Sequence, residues 1–190
     1  ATSILVAYLR SKGLVHPRDF SMSVIAGGTP ARLSALESGA VAGAVLVLPF
    51  SDIAVDKGFT KLGDTTEVIS SYQFNNININ PAWAEKNRLS VVKFIKAHIQ
   101  ALRWLHDNPA DAAEFLTKEF GLQAVYARRG IDYYTKNKVY PYNGDVTLAG
   151  LKVNIEVQVQ DGIIKGVVPA PDKYIDLSYL RQAQKELGIQ

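Results

Sequence analysis

Val24-Ile25-Ala26-Gly27-Gly28-Thr29-Pro30-Ala31-Arg32-Leu33-Ser34-Ala35-Leu36-Glu37-Ser38-Gly39-Ala40-Val41-Ala42-Gly43-Ala44-Val45-Leu46-Val47-Leu48-Pro49-Phe50 is the stretch whose reading decides the fold. It reads as strand, glycine turn, short helix, strand. Phe20 to Ile25 is a β-type run ending at two glycines. Thr29 can cap a helix, and Pro30 suits its first turn. Leu33 and Leu36 share a helical face, and Gly39 stands where a helix end favours positive φ. Val41 to Leu48 is nearly all apolar, as in a strand buried on both faces of a parallel sheet.

A β-α-β unit of this kind directs a helix N-terminus and a strand end to one place. Backbone N–H groups and the helix dipole favour an anion or polar oxygen there. Open α/β sheets bind ligands beyond the carboxyl ends of their strands. The expected ligand contacts are therefore Gly27, Gly28 and Thr29 at the helix start and Pro49 and Phe50 at the strand end. The same pattern also serves a packed unit whose glycines only turn the chain.

The surrounding 190 residues carry a net charge of +3, with 47% hydrophobic and 21% charged residues. That is the balance of a globular protein. No apolar run approaches the length of a membrane span. The basic excess forms no stripe of the kind that binds nucleic acid, so no nucleic-acid partner is expected. The absence of cysteine excludes disulfides, thiolate metal sites and cysteine nucleophiles within the chain. His16 stands in a polar loop. His98 and His106 are eight apart on one expected helix, without the i,i+4 spacing of a zinc motif. Neither a metal site nor a cofactor is expected.

Thr2 or Ser3 can cap a first helix, stopped by Gly13. Ser51-Asp52 can cap a short one ended by Gly58. Thr66 to Ser70 and Tyr72 to Ile79 read as strands. Asn80-Pro81 opens a short helix. Asn87 or Ser90 caps a long one whose apolar face is Val91, Phe94, Ile95, Ile99, Leu102 and Leu105. Helices follow over 112–120 and 123–134, and Asp176 caps a last one. Tyr134, Tyr140 and Tyr142 are near enough in sequence for an aromatic cage or for packing of a returning loop. Leu151 to Val159 alternates like a strand, which propensity favours, and Leu148, Leu151, Ile155 and Val159 also fit a helix.

The Gly27–Val41 series with its apolar strand ending Pro49-Phe50, then Asn80-Pro81-Ala82-Trp83-Ala84-Glu85-Lys86-Asn87, Ala101-Leu102-Arg103-Trp104-Leu105 and Asp176-Leu177-Ser178-Tyr179-Leu180, resembles the substrate-binding proteins of ABC importers. The group is the nitrate/sulfonate/taurine and thiamine-precursor type. The resemblance runs essentially the whole chain, and the ordered series is more specific than any single motif. It implies an α/β fold of the two-lobed type II periplasmic-binding-protein architecture, incomplete in this chain. Residues 1–70 would form most of lobe II from β-α-β units. Residues 71–190 would form a hinge strand and the returning, mainly helical part of lobe I. The chain would start inside lobe II, truncated relative to the family, and self-associate through apolar surface left uncovered. The resemblance further implies a helix over Leu151–Val159. It also implies ligand contacts from Thr2 and Ser3, with Tyr72 and Gln73 in the cleft wall.

The function so implied is not enzymatic. It is capture of a small anionic or polar solute in an inter-lobe cleft for delivery to an ABC permease, in the periplasm or tethered outside the cell. Sulfonate, nitrate, pyrimidine and aromatic-acid solutes all fit. A ligand-sensing domain of a transcription regulator is the alternative. A thiamine-pyrimidine-synthase-like enzyme on the same fold is a third, opposed by the missing cysteines.

Overall fold

The computed structural model describes residues 2–69 and 71–189, without the side chain of Thr2. Among the described residues the ordered elements are helical, and no strand or sheet is present. The α/β two-lobed expectation is therefore corrected. The stretches read as strands are irregular: Phe20–Ile25, Val41–Leu48 and Tyr72–Ile79 carry no ladder, and Thr65–Glu67 is a 3-10 turn. Ser70 lies outside the described residues. The reason is the difference between extended propensity and pairing. β-branched runs favour an extended backbone, but a sheet also needs partners for its N–H and C=O groups. Here those groups turn to local bonds. Val41 N–H donates to Ala35 O at 3.3 Å and Val47 O accepts from Ser51 N–H at 3.3 Å. Val24, expected inside a strand, is 96% exposed.

The chain divides into two compact units. The first comprises Ala1–Ser71 and Val157–Lys165. Its helices are α1 (Thr2–Ser11), α2 (Gly28–Glu37) and α3 (Phe50–Asp56). α1 buries Ile4 and Tyr8, and its Tyr8 hydroxyl donates to Leu62 O at 3.3 Å. Gly63 allows this approach, because a Cβ there would stand 1.6 Å from the Tyr8 hydroxyl oxygen. Lys12 also pairs with Glu67 at 3.0 Å. α2 turns Leu33 inward and α3 turns Ala54 inward.

The second unit comprises Tyr72–Glu156 and Gly166–Gln190. It contains α4 (Pro81–Lys86), α5 (Arg88–Asp107), α6 (Pro109–Phe120), α7 (Ala124–Lys136) and α9 (Ser178–Glu186), while α8 (Leu148–Gln160) falls to this unit as far as Glu156. Asn80 caps α4 as expected, accepting from Trp83 N–H at 3.1 Å. α5 is the spine, packed on α9 and α6. Val92 and Ile99 meet Ala183 of α9 in one buried cluster. Ala112, Ala113, Ala127 and Ile131 make a second between α6 and α7, closed by Leu105. The expected apolar face of α5 is partly corrected. Val92 is fully buried, whereas Phe94 is 58% exposed. The helix implied over Leu151–Val159 is present as part of α8.

Candidate functional site

The candidate site starts from two consecutive glycines that no other residue would shape alike. Gly27 is the N-cap of α2 at φ 98°, ψ 9°, and Gly28 follows at φ +75°. Thr29 therefore lies in the first turn instead of capping it. No side chain caps α2, and its first turn carries no acidic residue. The N–H groups of that turn and the positive end of the dipole are left to an anion. α3 differs: Asp52 already places a carboxylate in its first turn. Pro49 and Phe50, expected at a strand end, instead open α3, and α2 is the helix start of the two left electrostatically open.

Arg32 completes this start, and the sequence reading missed it. It stands one turn after Thr29, on the same face. Its Nη2 donates to Thr29 Oγ1 at 2.8 Å, and Thr29 is buried. Arg32 Nε is buried without a hydrogen-bond partner among the described residues. A buried donor without an acceptor costs free energy that a bound acceptor would return. The i,i+3 spacing from Thr29 was the available signal.

α2 packs on α3, and Lys57 pairs with Glu37 at their C-terminal ends. Both helices thus run toward one shared end. Pro49 is the N-cap of α3 and Phe50 its first residue, half-buried. Thr2 opens α1, and its side chain lies outside the described residues. Ser3 lines a different place, an open hollow of about 270 Å³ with Val6 and Arg10, bordered by His16 and Asp161. The glycine turn does not line that hollow.

Tyr72 and Gln73 belong to the second unit. Tyr72 stacks on Phe74 with centroids 6.5 Å apart. The Gln73 amide is occupied within the chain. Its Oε1 accepts from Thr147 N–H at 3.2 Å, and its Nε2 donates to Asn75 O at 2.9 Å. Asn154 Nδ2 donates to Gln73 O at 2.6 Å, so Gln73 anchors α8. The three tyrosines do not form a cage. Tyr134 and Tyr140 lie 5.0 Å apart, and burial of its ring pushes the Tyr134 phenol up to about 12. Tyr142 turns to α5, its hydroxyl donating to Asp107 at 3.0 Å. His106 serves the same loop, its Nε2 donating to Tyr140 O at 2.7 Å. Among the described residues no three metal-type side chains gather, and no helix is long and apolar enough to cross a membrane.

The comparisons bear on the half of the chain that contains the glycine turn and α5. The NMT1-like family matches residues 2–117. The chain belongs to the NMT1-like family, part of the nitrate/sulfonate/taurine-type substrate-binding group, whose general role is solute binding. No curated protein and no solved structure matches it.

Proposed function

We propose that the protein is a solute-binding component of an ABC importer and holds a small anionic or polar organic solute at the start of α2. The observation that carries this reading is the buried Arg32 Nε, without a protein acceptor, beside the uncapped Gly27-Gly28-Thr29 turn. An oxyanion head matches both donors. A sulfonate or carboxylate accepts from the first-turn N–H groups and from the guanidinium together. Pro49 and Phe50 on the neighbouring helix supply apolar contact for the rest of the solute. Such a protein performs no chemistry and hands its solute to membrane permease subunits, outside the cytoplasm.

A thermal-shift screen against taurine, alkanesulfonates, nitrate, aromatic carboxylates and thiamine precursors tests it. A solute at about 100 times its Kd stabilises the folded state by roughly 2.7 kcal/mol. One anionic solute raises the melting temperature, and Arg32→Ala abolishes the rise. If Arg32→Ala binds that solute undiminished, the site lies elsewhere. If no anion shifts the melting temperature, the anionic class is wrong.

A further inference from the structure

We propose that the outer face of α5 is a self-complementary docking surface, which takes α5 of a second copy of the chain in antiparallel register. The helix has 20 residues, hence about 30 Å of length. Val92, Ile99 and Leu102 are buried. That leaves Phe94, Ala97, Ala101 and Trp104, which recur at heptad a and d spacing along an exposed face. Phe94 is 58% and Trp104 45% exposed, although aromatic rings of this size usually bury.

Laid antiparallel against itself, this face matches. Phe94 falls opposite Trp104 of the second copy, and Ala97 opposite Ala101. The alanines let the two backbones approach at the centre, and the aromatic pairs close both ends. The flanking row is Lys93, Gln100 and Asp107, all exposed. Antiparallel pairing sets each Lys93 against Asp107 of the other copy, while Gln100 meets its own counterpart at the two-fold axis. Asp107 is already oriented by Tyr142, whose hydroxyl donates to it. In parallel register Lys93 would face His98 and find no acid. Charge complementarity therefore selects both the partner, a second copy, and its direction. The seam is short beside the roughly 1,200 Å² of a stable interface, so the association is weak and reversible.

Sedimentation equilibrium on the protein from about 10 µM to about 1 mM spans the affinity of so small a contact. The expected result is a concentration-dependent monomer–dimer equilibrium. Lys93→Glu and Asp107→Lys each place like charges at both ends of the seam and weaken it about tenfold. The double variant recreates the pairs with reversed polarity and returns the dissociation constant to within about threefold of the parent. Both positions are exposed, and an unchanged far-UV circular dichroism spectrum shows that the fold is kept. A monomer throughout the range overturns the proposal. So does a dimer indifferent to the single reversals, or one the double variant fails to restore. An oligomer that grows beyond two copies also overturns it, because an isologous contact closes at the dimer.

Discussion

At the scale of single residues, two positions show how local chemistry fixes what the chain can do. Gly27 holds φ 98°, and a Cβ there would stand 2.9 Å from Ala31 Cβ. Left-handed backbone costs an L-residue roughly 1–2 kcal/mol before any clash. Gly27→Ala should therefore destabilise the protein by about 2 kcal/mol in urea denaturation and disturb the start of α2. A loss below about 0.5 kcal/mol would mean the turn relaxes freely. Tyr134 is the second. Burial favours its neutral form and lifts its pKa to about 12. The sign follows from that direction. The stabilising contribution is complete below the unfolded value near 10 and drains away as pH climbs through 12. Tyrosinate absorbance should show a late component among the nine tyrosines, and Tyr134→Phe should remove its uppermost part. An unaltered titration in that variant would reassign the late component, for example to Tyr140, which burial also raises.

At the scale of elements, α5 shows one helix used in two ways. Ile99 is fully buried against α9, so Ile99→Ala leaves a cavity and should cost about 3 kcal/mol in a denaturant titration. Phe94, more than half exposed, stands outside the core of the folded monomer. Phe94→Ala should change monomer stability by less than about 0.5 kcal/mol. Equal losses at the two positions would show that the outer face is covered within the chain. Some helix positions were legible because capping and periodicity are local: Asn80 with Pro81 started α4. Which face of α5 turned inward was less legible. Phe94 and Val92 are both apolar, and only the position of α9 chose between them.

At the scale of the whole molecule, the absence of a sheet among the described residues is the largest departure from the expected architecture. Helices account for 57% of the described residues. Far-UV circular dichroism should accordingly show a helical spectrum with little strand. A strand content near the globular average of roughly a fifth would restore the α/β reading. The miss has a definite origin in Val41–Leu48. Its apolar run was read as a buried parallel strand, yet burial on two faces is a property of neighbours and not of the run itself. Family membership survives this change, because it rests on the ordered series of residues across 2–117. The candidate site was half legible: Gly27, Gly28 and Thr29 announced a helix start, while Arg32 emerged only through its bond to Thr29 and its buried Nε.

The sequence by itself determined the Asn80-Pro81 helix start, the glycine turn, the family and the exclusion of cysteine chemistry. These depend on contacts within a few residues or on composition, so they can be read before any fold is known. Tertiary structure alone decided that the apolar runs stay unpaired, that Gln73 spends its amide on Thr147 and Asn75, and that Arg32 turns toward the start of α2. Each of these sets a residue against groups whose positions depend on how the whole chain folds, and neither spacing nor periodicity specifies those positions.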